Sequence, residues 1–154
     1  DSNAQGEIYL TDVVERLVTE GAAVAAVMAA DPAAVLGVNT RAELAEAETM
    51  MNGRICREWM LAGVTIERPE CTQIHAEVQL EPDVVVKPFC SLHGRTAIRR
   101  GTTLGPASTL VDTIVGRDCR VPHCYLEGAT IEDGMEVSPF TVVRAGRCGW
   151  SGSI

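Results

Sequence analysis

From residue 74 onward the chain repeats by six. Ile74, Leu80, Val86, Leu92, Ile98, Leu104 and Leu110 stand at a strict six-residue interval. Four residues after each of the first six come Val78, Val84, Cys90, Thr96, Thr102 and Ser108, all small or β-branched. A period of six fits neither an α-helix at about 3.6 nor a two-faced strand at about 2. It predicts a parallel β-helix of hexapeptides, in which three hexads make one triangular coil and residues 18 apart stack into aliphatic columns. The phase slips after Leu110, resumes at Val115 and Val121, slips again from Cys124 to Thr130, and resumes at Ile131, Val137 and Val143. Each slip predicts a protruding loop. After Gly146 the pattern ends in the polar, Gly-rich RCGWSGSI, an irregular tail that adds no coil and leaves the last edge largely uncovered.

Upstream the period changes. Thr40 followed by Glu43 forms a capping box, and Leu44, Ala47, Met51, Ile55 and Trp59 fall on one face. With Gly63 as a stop, this predicts a helix over 40–61, weakened by roughly 1 kcal/mol at Gly53 relative to Ala. Thr11 to Thr19 predicts a short helix with Val13, Val14, Leu17 and Val18 inward, and Ala22 to Met28 a buried strand despite its alanines. Leu36 to Asn39 is a short turn-bounded run ahead of the long helix. The expected organisation is an α/β region over 1–39, a bridging helix over 40–63, a β-helix over 64–146 and a tail over 147–154.

Composition narrows the chemistry. The net charge is −8, from 13 Lys plus Arg against 21 Asp plus Glu, the opposite of the basic footprint that a nucleic-acid backbone demands. The acidity is uneven: residues 1–63 hold four Arg against ten acids, residues 64–154 nine basic against eleven acidic residues. The longest wholly apolar run, Ala22 to Ala30, is nine residues, against the roughly 20 a membrane helix needs. The opening DSNAQGE is acidic and polar, unlike an export signal. A cytoplasmic chain without membrane insertion is expected. Aromatics make up only 4% of the residues, so aliphatics must fill the core. The six cysteines (56, 71, 90, 119, 124 and 148) show no zinc spacing and are expected as reduced, buried small hydrophobes. His75 and His93 are one coil apart and should stack outward on one face; a metal bridge is weighed there against two solvent-facing histidines, and the latter is preferred for want of a third ligand. Arg95, Arg99 and Arg100 form a local basic cluster that balanced surface charge explains best.

Four ordered segments carry a family resemblance: NAQGEIYLTD (3–12), GVNTRAELA (37–45), WMLAGVTIERP (59–69) and SPFTVVRAG (138–146), with the hexads between the last two. The chain resembles, over about 1–146, the bifunctional bacterial N-acetylglucosamine-1-phosphate uridyltransferase/glucosamine-1-phosphate acetyltransferases. The resemblance implies an internal piece of such an enzyme: the end of a Rossmann-like nucleotidyltransferase domain, a linker helix, and a left-handed parallel β-helix that forms a homotrimer. It implies acetyl transfer from acetyl-CoA to a sugar 1-phosphate, then attack of that phosphate on UTP, giving UDP-N-acetylglucosamine for cell-wall synthesis. In the second step Mg²⁺ would neutralise developing charge. Asp1, which is not Met, would then lie inside a sugar-binding motif.

By the same resemblance Asn39 falls at a Mg²⁺ ligand position, Glu7 and Thr11 line the sugar pocket, and Arg144 grips sugar phosphate or nucleotide through its guanidinium fork. Taken alone, Asn39 is also a turn residue, Glu7 a loop-surface acid and Thr11 a helix N-cap. The sequence departs from the family at Ile8, where Tyr is usual, and at Ala145, where the family has Arg-Pro-Gly. No Gly-rich phosphate loop matches, and His75, His93 and His123 all precede Arg144, so none takes the place of the family's catalytic base. The polypeptide alone is therefore expected to be inactive. Two other readings stay open: a related sugar-1-phosphate thymidylyl- or adenylyltransferase with a hexapeptide tail, and a non-catalytic trimerising β-helix module.

Overall fold

A computed structural model describes residues 9–31 and 35–144. The chain divides into two compact units, Asp1–Gly37 and Val38–Ile154.

In the first unit α1 (Leu10–Thr19) forms over the predicted stretch, but it buries none of its residues. Val13, Val14, Leu17 and Val18 are exposed rather than inward. Ala22 to Met28 forms no strand, and Val27 and Met28 are almost fully exposed. The reason is shared: an apolar face is buried only by an opposing layer, and no strand occurs among the described residues before Thr65. The expected α/β character of 1–39 is thus represented, among the described residues, by one helix.

In the second unit α2 (Arg41–Leu61) starts at its capping box: Glu43 N–H donates to Thr40 Oγ1 at 3.1 Å and Thr40 N–H donates to Glu43 Oε2 at 3.0 Å. Only its C-terminal half packs. Cys56 is fully buried, Ile55 and Trp59 lean on the core, and Leu44 and Met51 of the predicted apolar face stay exposed. Asn52 docks the helix to the first edge of the β region. Its Nδ2 donates to Thr72 O at 2.8 Å, and its Oδ1 accepts from Ile74 N–H at 3.0 Å. These are backbone groups that an edge strand otherwise leaves open.

The remainder is a parallel solenoid. Its first coil holds β1 (Thr65–Ile66), a short 3-10 turn at Pro69–Cys71, β2 (Gln73–Ile74) and β3 (Gln79–Leu80). The second holds β4 (Val85–Val86), β5 (Ser91–His93) and β6 (Ala97–Ile98); the third β7 (Thr103–Leu104), β8 (Thr109–Val111) and β9 (Ile114–Val115). The fourth holds β10 (Arg120–Val121), β11 (Tyr125–Glu127) and β12 (Thr130–Ile131); β13 (Val142–Val143) belongs to a fifth, entered by a bridge from Arg120 to Glu136. Corresponding strands stack into three parallel sheets, β1-β4-β7-β10, β2-β5-β8-β11-β13 and β3-β6-β9-β12.

The columns are those the hexads foretell. Ile74, Leu92 and Leu110 pair in register down one sheet, Leu80 and Ile98 down the second, Val86 and Leu104 down the third. The slips, however, are not protruding loops. Leu110 to Val115, Val121 to Leu126 and Leu126 to Ile131 are each five residues apart, a corner shortened by one. The tight corners close through a residue at positive φ, Asp112, His123 and Gly128 respectively. Register survives: Leu110 pairs with Leu126 and Val115 with Ile131. Leu126, fully buried, is the core aliphatic that counting by sixes passes over.

The small inward position has a second task. Thr102 Oγ1 donates to Gly116 O at 2.7 Å and accepts from Cys119 N–H at 3.1 Å; Ser108 Oγ likewise bridges Val121 O and Cys124 N–H. A hydroxyl there satisfies corner backbone groups that the sheet ladders do not reach, so a polar side chain is tolerated at full burial. Cys56, Cys90, Cys119 and Cys124 are buried free thiols, as expected, whereas Cys71 lies exposed on the 3-10 turn; Cys148 is outside the described residues. On the surface Arg99 pairs with Glu81 at 3.1 Å and Arg100 with Asp83 at 3.4 Å, so two of the three clustered arginines meet acids. No described helix is long and apolar enough to cross a membrane.

Candidate functional site

Of the four residues singled out from the sequence, three lie among the described residues. Glu7 lies outside the described residues. Thr11 is the second residue of α1, exposed; the helix is entered at Tyr9, whose N–H donates to Asp12 Oδ2 at 3.2 Å, so Thr11 is not the N-cap. Asn39 is exposed just ahead of α2, and its backbone N–H donates to Glu43 Oε2 at 2.6 Å. These backbone donors at Asn39 and then Thr40 pull the Glu43 carboxyl below its usual range. Arg144 follows β13 on the fifth coil, whereas the helix headed by Asn39 packs on the first.

The donor set around Asn39 bears on Mg²⁺. The ion usually takes one or two carboxylates plus phosphate oxygens and water. Asn39 offers a single neutral amide oxygen, and the Glu43 carboxylate beside it is spent on capping α2. Among the described residues no group of three or more His, Cys, Asp and Glu could hold a metal. The described residues alone therefore do not fit a Mg²⁺ site.

Arg144 has a definite setting. Its guanidinium carbon lies 5.8 Å from the ring centroid of Tyr125, a cation–π distance. Tyr125 Oη donates to Glu127 Oε2 at 3.1 Å, and this bond, with the nearby carboxylate charge, raises the phenol's pKa while Arg144 opposes the rise. Pairing of β11 with β13 places Tyr125 opposite Val142 and Leu126 opposite Val143, which carries Glu127 alongside Arg144 on the outer face. The guanidinium is thus steadied by a ring and remains exposed, an arrangement suited to an anion approaching from solution. Tyr125 and Glu127 were passed over in the sequence because their 17- to 19-residue offset from Arg144 falls on a shortened coil; recognising the five-residue hexads would have exposed them.

The same sheet carries the histidines. Nδ1 of His93 and Nε2 of His75 are 3.0 Å apart, and partial burial first, then the charge of His75, lower the pKa of His93. His123 stands apart at the corner after β10, stacked 5.6 Å from Phe140.

No protein-family model matches the chain. Among curated proteins it is 43% identical over 153 residues to the bifunctional protein GlmU of Kineococcus radiotolerans, covering 99% of this chain and 31% of that protein. It is 42% identical over 146 residues to GlmU of Bifidobacterium animalis subsp. lactis, and 40% over 144 residues to GlmU of a Geobacillus species, covering 94% of this chain and 31% of each relative. The chain spans about a third of the length of the curated relatives it matches.

Proposed function

From a chain related over nearly its whole length to about a third of the bifunctional GlmU proteins, we propose that it serves the making of UDP-N-acetylglucosamine. The full enzyme of this reading acetylates glucosamine 1-phosphate with acetyl-CoA and then joins the product to UTP. Supporting the reading, above all, is identity of 40–43% sustained over 144–153 residues, across both the helical stretch and the solenoid. Its finer parts follow the sequence reasoning: a left-handed coil, a homotrimer built through it, and a Rossmann-like origin for the residues before α2.

Within this reading the chain's residues bind and position. Arg144 receives the phosphate of the sugar or nucleotide, with Tyr125 limiting the directions its fork can take. Glu7 accepts and Thr11 donates to sugar hydroxyls. Asn39 would offer one amide oxygen to Mg²⁺, an ion that also calls for a carboxylate ligand. Acetyl transfer also needs a base to take the amine proton as nitrogen attacks the thioester, and the three His of this sequence all precede Arg144. The 154-residue polypeptide by itself accordingly turns over neither half-reaction. Coupled assays for free CoA and for pyrophosphate on the purified chain check this; turnover in either assay would overturn the inactivity. Light scattering should give about three times the 16.5 kDa chain mass, and a monomer would overturn the trimer.

A further inference from the structure

The parallel pairing of β2 with β5 sets Ile74 opposite Leu92, and the residues that follow them, His75 and His93, project side by side from the outer face. His75 N–H donates to Leu92 O at 2.9 Å, so the backbone beneath the two rings is held by the ladder and only side-chain torsions remain free. The ring centroids are 4.3 Å apart with planes at 84°, and the facing nitrogens are 3.0 Å apart. The coil repeat brings the two rings together, and one ring nitrogen donates to the other.

We propose that His75 and His93 form a two-imidazole site for a divalent transition-metal ion that prefers right-angle coordination, with water at its other positions. Imidazole nitrogen is a ligand of Zn²⁺, Ni²⁺ and Cu²⁺ alike, so geometry decides among them. Two nitrogens 3.0 Å apart, each about 2.0–2.1 Å from one ion, subtend about 91–97° at it. That is the cis angle of a square plane or octahedron. A tetrahedral ion would need them about 3.4 Å apart. Cu²⁺ heads the affinity order of divalent first-row ions for such ligands, and Ni²⁺ shares its preference for right-angle coordination. In the neutral pair one ring N–H bridges to the other ring's lone pair. When the ion enters, that proton moves to the distal nitrogen of its own ring, leaving two lone pairs facing the metal and no net proton released. Among the described residues no third His, Cys, Asp or Glu joins the group.

The test is titration of the purified 154-residue chain with NiCl₂ near neutral pH, followed by calorimetry and by broadening of histidine ring protons in NMR. One ion should bind per chain, broadening His75 and His93 together. His75→Gln and His93→Gln should each weaken binding by about tenfold or more, because the second imidazole then no longer acts at high effective concentration. His123→Gln, which removes the isolated histidine beside Phe140, should change nothing. Far-UV circular dichroism on each variant separates lost binding from lost fold. Unchanged affinity in His93→Gln, or broadening of His123 at the same Ni²⁺ level as the pair, would overturn the proposal.

Discussion

Two apolar faces in this molecule were foretold by periodicity, and they meet opposite fates. On α1, Val13, Val14, Leu17 and Val18 remain 40–59% exposed. In the solenoid, the seven aliphatics from Ile74 to Leu110 are at most 5% exposed. Hydrophobicity is equal in kind; what differs is the source of cover. A coil of the β-helix is covered by its own next coil, sixteen to twenty residues along the chain, so the repeat both makes the face and buries it. A lone helix makes a face and depends on some other element to bury it. α2 shows both conditions within one element, packed where Cys56 meets the first coil and exposed at Leu44.

The sharpest way to break the contrast is truncation of one residue from each set. Leu110→Ala should cost about 2–5 kcal/mol of stability by urea denaturation, because the columns above and below prevent the cavity from collapsing. Leu17→Ala in α1 should stay within about 0.5 kcal/mol. Equal losses would mean that α1 has a covered face after all.

A smaller effect is expected from the hydroxyl bridges. Thr102→Val keeps the shape at a fully buried position but leaves Gly116 O and Cys119 N–H without the partner that joins them. The cost should be about 1–3 kcal/mol in the same denaturation experiment, although valine is the more apolar residue. No loss would mean that the small inward column needs only the right volume.

The least effect belongs to surface charge. Arg100 N–H at 2.9 Å, and then the Arg99 guanidinium, hold the Glu81 carboxyl below its ordinary value of 4.5. With the folded pKa depressed, the unfolded chain takes up protons first as pH falls. The stabilisation is therefore complete above 4.5 and is lost as pH drops through the lower, folded value. Glu81→Gln should flatten part of the fall in melting temperature below about pH 4.5 and leave neutral behaviour nearly unchanged. An acid limb identical to the parent's would remove Glu81 from the account.

How much could be foreseen depended on how local the cause was. The columns from Ile74 to Leu110 and the capping box at Thr40 are set by neighbours within a few residues or one coil, and their spacing reveals them. The partners of Arg144 were hidden because a corner shortened by one residue shifts every later pairing, and a fixed count of six cannot follow it. Thr11, a plausible N-cap from its residue type, falls inside α1 because the helix begins at Leu10, one residue earlier.

By itself the sequence determined the solenoid, its inward columns, the reduced state expected of its buried thiols and the start of α2. Each is dictated by a repeat or a cap whose partner is close along the chain. Only the tertiary structure decided that the slips are tightened corners, that Leu126 belongs to the core, that Tyr125 and Glu127 attend Arg144, that His75 touches His93, and that α1 buries nothing. Those outcomes rest on which groups meet across coils and on whether a second layer exists, quantities that a linear pattern does not contain.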